Sequence, residues 1–286
     1  MLIPFQKELD QEIIQNVSHA LDEDLGFTDK TTGDITANLI PATETATATV
    51  ITREKCTLSG SAWVNEVFKQ LDPSIKIEWL VKDGEQLTEN QPIFTISGNA
   101  RVILTGERTA LNFLQTLSAT ASQVSMAVSL LNGSSTKLLD TRKTLPGLRY
   151  AQKYAVLCGG GTNHRIGLND AYLIKENHIR ACGGISHAIK QARLLQPNKP
   201  VEIEVESIEE LKQALDAKAD IVMLDNFTIE DIERAVALNN KQAKLEVSGN
   251  ITADRLSELS QLGVDFISSG ALTKNVQAID LSMRFN

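Results

Sequence analysis

The feature that most constrains this fold is a repeated alternation of short apolar runs and amphipathic helices in the second half of the chain. Six apolar runs recur, each with polar or small residues at its end: KLLDTR (137–142), AYLIKE (171–176), VEIEVE (201–206), DIVMLDN (220–226), KLEVSGN (244–250) and VDFISSG (264–270). Successive βα units of similar length build a parallel sheet, and a uniform series of six favours a TIM-like barrel over an open doubly wound sheet.

The segments between the later runs carry the signature of short helices. Three segments have a Ser or Thr at the first or second position that can cap a helix, with an acidic residue in the first turn: SIEELKQALDAKA (207–219), TIEDIERAVALNN (228–240) and ITADRLSELSQLG (251–263). The steps between the polar residues that end four runs are 21, 23 and 21 residues: Glu204, Asp225, Ser248 and Ser269. This regularity supports one barrel over several unrelated elements.

The first half has a different pattern. Apolar residues at three- and four-residue steps predict an amphipathic helix over 6–25, and ETATATVITRE (44–54) alternates as a half-buried strand does. Helical spacing from about 106 to 131 links the halves, and AIDLSMRF (278–285) alternates as a strand that returns to the first domain's sheet. We therefore expect a β-rich first domain over 1–115, joined by the tail 272–286, and a barrel domain over 116–271.

Charge and composition limit the partners. The 28 Lys and Arg against 36 Asp and Glu give a net charge of −8, which argues against a nucleic-acid-binding surface spread over the whole molecule. The N-terminus lacks the apolar region of a secretion signal and no long apolar window is present, so we expect a cytoplasmic protein with no membrane contact. Three scattered cysteines indicate reduced thiols and no disulfide framework.

Chemistry in a βα barrel collects at the carboxyl ends of the strands. Residues 137–180 contain eight basic and three acidic residues within this acidic protein. The subset expected at strand ends predicts a pocket for a small, multiply anionic substrate: Arg142, Lys143, His164, Arg165 and Lys175. The alternative for each single residue is a solvated barrel rim.

Two further pairs suggest phosphate and metal chemistry. Ser248 with Gly249, and Ser269 with Gly270, let backbone N–H groups approach a phosphate, although each pair alone also fits a turn. Glu204 and Asp225 fit ribose hydroxyls or Mg²⁺, or else structural ion pairs. A zinc site of Cys158, His164, His178 and Cys182 is disfavoured because it lacks short paired spacing.

The chain contains the long block DTRKTLPGLRYAQKYAVLCGGGTNHRIGLNDAYLIKENHI (140–179) and the shorter segments GERTALNFLQ, EIEVE, MLDNF, SGNIT and GALTKN. In these segments it resembles the quinolinate phosphoribosyltransferase (decarboxylating) family, whose members are pentosyl-group glycosyltransferases. The resemblance covers essentially the whole chain. It implies an N-terminal α/β sandwich domain, an open TIM-like α/β barrel and a homodimer. The implied reaction joins quinolinate to phosphoribosyl pyrophosphate with Mg²⁺, giving nicotinate mononucleotide, pyrophosphate and CO₂ in NAD synthesis.

The resemblance also implies a role for each matching residue. It places quinolinate against Arg142, His164, Arg165 and Lys175, with Arg108 reaching in from the partner subunit. It assigns phosphoribosyl pyrophosphate to Lys143, Glu204, Asp225, Ser248, Gly249, Ser269 and Gly270, and the metal to Glu204 and Asp225. The implied catalytic set is Lys143, Lys175, Glu204 and Asp225. The family more often has His where this chain has Asn275, and position 269 varies.

Three alternatives stay open on the sequence. A barrel lyase could use Lys175, at the end of a strand, as a Schiff-base nucleophile. A paralogue of the family could act on a different base, although every quinolinate-contacting residue implied by the resemblance is present. A non-catalytic binding protein could also use this fold, but loss of some site residues would then be expected.

Overall fold

The structure is a computed structural model that describes residues 3–27, 29–30, 32–131, 133–249 and 251–286. The helices, in chain order, are α1 (Gln6–Leu25), α2 (Ser61–Leu71), α3 (Ala100–Ser129), α4 (Arg149–Cys158), α5 (Glu176–Cys182), α6 (Ile185–Leu195), α7 (Ile208–Asp216), α8 (Ile229–Asn239), α9 (Ala253–Leu259) and α10 (Ala271–Lys274). The strands are β1 (Thr45–Thr52), β2 (Cys56–Thr57), β3 (Lys76–Trp79), β4 (Gln86–Leu87), β5 (Pro92–Asn99), β6 (Lys137–Leu139), β7 (Tyr172–Ile174), β8 (Val201–Val205), β9 (Ile221–Asp225), β10 (Lys244–Ser248), β11 (Phe266–Ser268) and β12 (Leu281–Phe285).

The chain divides into two compact units. The first contains 1–125, 144–160 and 272–286, and the second contains 126–143 and 161–271. These bounds differ from the expected 1–115 and 116–271, because most of α3 and the whole of α4 pack with the first unit. Apolar periodicity locates a helix in the sequence but does not identify the core against which it packs.

The first unit is built on an antiparallel sheet of order β12-β1-β5-β3. The predicted C-terminal strand is β12, and it pairs with β1 so that Val50 lies opposite Met283. Helix α1 is the predicted amphipathic helix, and it buries Leu9, Ile13 and Val17 at four-residue steps along one face. Together these layers form the expected N-terminal α/β sandwich domain.

The second unit is a parallel sheet of six strands in the order β6-β11-β10-β9-β8-β7. Each strand lies within one of the six predicted apolar runs. A single bridge between Leu139 and Thr162 extends the β6 edge. The predicted open TIM-like α/β barrel is confirmed.

The predicted helix caps are present. The side chains of Ser207, Thr228 and Thr252 accept hydrogen bonds from the third residue of α7, α8 and α9. Each cap satisfies one of the N–H groups that a helix leaves unpaired at its start, so the chain turns sharply from strand end into helix. In this way the short loops at the carboxyl ends of β8 and β9 are fixed next to the candidate site. Among the described residues, no helix has the length and apolar character needed to cross a membrane.

Candidate active site

The carboxyl ends of neighbouring strands bring several predicted residues to one edge of the barrel sheet. Asp225 ends β9 and lies directly opposite Ser248, the last residue of β10. Glu204 is the penultimate residue of β8, which pairs with the edge of β9 opposite to β10. Lys175 follows β7 immediately and is the N-cap residue of α5. Residues from four adjacent strands therefore share one rim.

The first group at this rim, here called the lysine–carboxylate group, consists of Lys143, Lys175, Glu204 and Asp225. The ammonium of Lys175 forms an ion pair with Glu204. Burial, followed by the charge of Glu204, raises the pKa of Asp225, whereas Lys175 and Lys143 oppose that shift. All four residues of the implied catalytic set thus interact electrostatically.

The second group, here called the cation group, consists of Arg142, His164 and Arg165. Burial, and then repulsion by Arg142, lowers the pKa of Arg165, and the carboxylates of Glu202 and Asp170 oppose this. Arg165 also donates a hydrogen bond from Nη1 to the carbonyl of Ala171 at 3.2 Å. Two half-buried guanidinium groups that repel each other are suited to bind an anion.

His164 is held on two sides. Its backbone N–H donates to Oδ1 of Asp140 at 2.8 Å. Its ring Nε2 lies 2.8 Å from Oε2 of Glu202 and 3.7 Å from Oε2 of Glu246. Burial, followed by the charge of Glu202, raises the pKa of Glu246. These contacts fix both the backbone and the ring of His164.

Two glycines create room at the phosphate loops that the sequence predicts. A Cβ on Gly270 would lie 2.6 Å from Cδ of Lys143, so a larger residue there would displace this lysine side chain. Gly249 has a φ of +95°, and a Cβ there would lie 2.5 Å from Oδ1 of Asn226. Asn250, the last residue of the SGN motif, lies outside the described residues.

Some predicted residues are not part of this rim. Arg108 is exposed on α3, in the part of that helix that belongs to the first compact unit. His178, from the disfavoured zinc pattern, accepts a hydrogen bond from the backbone N–H of Lys175 at 3.0 Å and so caps α5. Among the described residues, the group of three potential metal-binding side chains within 4.8 Å is His164, Glu202 and Glu246, with no cysteine.

Family models for both halves match the chain. The quinolinate phosphoribosyl transferase C-terminal domain matches residues 120–284, and the corresponding N-terminal domain matches residues 34–118. The chain belongs to the quinolinate phosphoribosyltransferase family. The predicted family and enzyme class are thereby confirmed.

Similar proteins agree with this assignment over nearly the whole chain. A probable nicotinate-nucleotide pyrophosphorylase of Bacillus subtilis is 38% identical and covers 93% of this chain and 91% of its own length. The chloroplastic nicotinate-nucleotide pyrophosphorylase of Arabidopsis thaliana is 39% identical, covering 93% and 81%. The solved nicotinate-nucleotide pyrophosphorylase of Francisella tularensis is 52% identical, with a TM-score of 0.92 and 97% of both chains covered.

In this member of the quinolinate phosphoribosyltransferase family, three charged residues lie beside His164 that were not predicted from the sequence. Asp140, Glu202 and Glu246 are each at least 97% buried. For Glu202 and Glu246, the sequence does contain a signal, which is a charged residue inside a largely apolar strand, as in VEIEV and KLEVS. Buried charges of this kind are rare unless they are paired, so they indicate an inward-facing polar contact.

Proposed function

We propose that the enzyme binds quinolinate at the cation group and phosphoribosyl pyrophosphate at the lysine–carboxylate group, and joins them at the rim of the barrel. The observation that carries this proposal is that two groups of different charge lie at neighbouring ends of the barrel strands. The cation group is basic, whereas the lysine–carboxylate group contains both positive and negative side chains. Quinolinate has two carboxylates, and arginine binds carboxylates through paired hydrogen bonds. Family membership supports the reaction: phosphoribosyl transfer to quinolinate with decarboxylation, in NAD synthesis.

For quinolinate, Arg142, His164, Arg165 and Lys175 supply the positive charge in this proposal. Arg142 and Arg165 repel each other in the free protein, and a bound dianion relieves that repulsion. A histidine with fixed orientation adds a directed hydrogen bond that selects one placement of the pyridine ring. We therefore expect quinolinate to bind with its ring nitrogen facing the ribose.

For phosphoribosyl pyrophosphate, Ser248, Gly249, Ser269 and Gly270 are the proposed 5-phosphate loops, since small residues let backbone N–H groups contact a phosphate. Lys143, which lies against Gly270, is the proposed contact to the pyrophosphate.

The carboxylates of Glu204 and Asp225 fit a magnesium ion. Both offer oxygen ligands, which Mg²⁺ prefers. Burial, and then the charge of Glu204, raises the pKa of Asp225, so a divalent cation would offset a repulsion that already exists between the two carboxylates. When bound, the ion would neutralise charge on the leaving pyrophosphate. The protein's own residues would orient it through these two carboxylates, while the Lys175 ion pair limits how much negative charge Glu204 contributes.

The chemistry that these residues must supply is mainly positioning. As pyrophosphate leaves C1 of the ribose, positive charge develops there, and Glu204 and Asp225 lie among the groups that can stabilise it. Lys143 offsets the negative charge of the leaving group. After the C1–N bond forms, the C–C bond to the 2-carboxylate breaks and CO₂ leaves. The electron pair left on that ring carbon is stabilised by the adjacent positive nitrogen until the carbon takes up a proton from water, which gives nicotinate mononucleotide.

A test of the reaction is to incubate the purified protein with quinolinate, phosphoribosyl pyrophosphate and Mg²⁺ and to measure CO₂ release. Turnover with quinolinate and none with nicotinate is expected. Turnover with nicotinate alone would instead indicate a paralogue that acts on another base. Borohydride trapping in the presence of substrate addresses the Schiff-base lyase, since covalent labelling of Lys175 would contradict the transferase mechanism.

The assembly and location are part of the same proposal. We infer a homodimer in which Arg108, exposed on α3, enters the partner's quinolinate site. We also infer a cytoplasmic location, which fractionation of the source cells would test. Some relatives are named as chloroplastic or mitochondrial enzymes, so location varies among similar proteins.

A further inference from the structure

Two glutamates point into the barrel one layer below the proposed site. Side chains two residues apart on a strand share a face, so Glu202 lies on the same face of β8 as Glu204. In the same way Glu246 lies on the same face of β10 as Ser248. Glu202 is 3% exposed and Glu246 is fully buried. Neither residue belongs to the proposed substrate contacts.

These glutamates converge on one ring atom of His164. Nε2 lies 2.8 Å from Glu202 and 3.7 Å from Glu246, and only 9% of the His164 side chain is exposed. A carboxylate oxygen accepts hydrogen bonds, so this geometry places a proton on Nε2. The hydrogen bond at one ring nitrogen determines which form the imidazole takes and where its other nitrogen points.

The cost of burying Glu202 also needs an explanation. A carboxylate removed from water is unfavourable unless it is paired, and an apolar residue at this inward position would pack without that cost. The guanidinium of Arg165 is close enough for Glu202 to affect its pKa. Glu202 therefore contacts one member of the cation group directly and influences a second electrostatically.

We propose that Glu202 is a positioning residue for quinolinate recognition: it accepts the Nε2–H hydrogen bond of His164 and so holds the protonated ring with its Nδ1–H donating to a substrate carboxylate. This inference rests on the proposed role of His164 in binding quinolinate. Glu246 lies 3.7 Å from the same Nε2 and adds a second carboxylate at this end of the ring. Asp140 completes the arrangement by holding the backbone of His164.

A double-mutant cycle tests the proposal through the full-length enzyme. The variants are Glu202→Gln, His164→Asn and the double variant, and quinolinate affinity is measured by equilibrium binding alongside KM for each substrate. Glu202→Gln should weaken quinolinate binding about tenfold, the scale of one charged hydrogen bond. KM for phosphoribosyl pyrophosphate should stay within about twofold of wild type.

The coupling between the two residues is the deciding result. In the His164→Asn background, Glu202→Gln should have almost no further effect, because its contribution passes through the missing imidazole. An equal loss in both backgrounds would show that Glu202 is merely structural and would overturn the proposal. A matched control is Glu206→Gln, which removes an exposed carboxylate just beyond the same strand and should leave quinolinate binding unchanged.

Two further outcomes remain distinguishable. If His164→Asn itself leaves quinolinate binding unchanged, the proposed substrate site is wrong, and the inference fails with it. If His164→Asn weakens binding but Glu202→Gln does not, the substrate site stands and only the positioning role is overturned. Should Glu202→Gln fold poorly, Glu202→Asp keeps the charge with a shorter reach and is expected to lose less affinity than Glu202→Gln.

Discussion

Individual side chains in the barrel have roles that depend on their depth along a strand. Glu204 and Asp225, at or next to strand ends, interact with lysines at the rim. Glu202 lies one layer deeper and contacts His164. The same residue type is thus placed at the rim, where it can meet substrate, and in the interior, where it can orient another side chain.

Arg142 provides the most direct test at this scale. Arg142→Ala should weaken quinolinate binding by about 100-fold or more, because it removes a charged, forked contact to a carboxylate. The fold should remain intact, as judged by circular dichroism and thermal unfolding. Arg180→Ala, which removes an exposed arginine on α5, serves as the control and should bind quinolinate normally. Unchanged affinity in Arg142→Ala would refute its proposed role.

The buried carboxyl group of Glu246 should make the free energy of unfolding of the protein depend on pH. Burial, followed by the charge of Glu202, raises the pKa of Glu246 above the ordinary carboxyl range, so the folded protein holds this proton more tightly than the unfolded chain. The resulting stabilisation is complete at acidic pH and is lost as the pH rises towards the folded-state pKa. Glu246→Gln, which mimics the protonated acid, should therefore gain stability relative to wild type as the pH increases.

Urea unfolding of both proteins across the pH range from about 5 to 8 measures this difference. We expect the gap in free energy of unfolding to widen by on the order of 1 kcal/mol over that range. A gap that stays constant with pH would contradict the raised pKa of Glu246.

At the scale of elements, alternation and spacing predicted the six barrel strands and the helices that follow β8, β9 and β10. These predictions succeeded because a half-buried helix and a buried strand impose periods of their own on the sequence. Periodicity did not predict that α4 packs within the first unit, because its apolar face would suit either core.

The cap of α8 gives a prediction for a single element. The hydroxyl of Thr228 accepts from the N–H of Asp231 at 3.2 Å. Thr228→Ala should lower the free energy of unfolding by about 1 kcal/mol, because one N–H of the first turn loses its partner. Thr228→Ser keeps the hydroxyl and should lose much less. Similar losses in both variants, measured in urea, would show that the methyl group matters more than the cap.

For the whole molecule, the proposed dimer makes each site depend on two subunits. Arg108→Ala and Lys175→Ala should each be inactive alone, because every site lacks one contact. In a mixed dimer, one site carries both defects and the other carries none. Mixing equal amounts should therefore restore about a quarter of wild-type activity, since about half of the dimers are mixed.

Subunit exchange must be shown in the same experiment, for example by purification through two different affinity tags. Mixed dimers without activity would argue against a shared site. Activity in the Arg108→Ala dimer alone would remove Arg108 from the site altogether.

The sequence alone determined the order of strands and helices, the polar rim and the family. These features depend on local periodicity and on motifs that are contiguous in the chain. Only the tertiary structure brought Glu202 and Glu246 to the ring of His164, which is distant from both in sequence. Contacts of that kind depend on which distant strands and loops lie side by side in the fold, and the local pattern of one strand does not specify its neighbours.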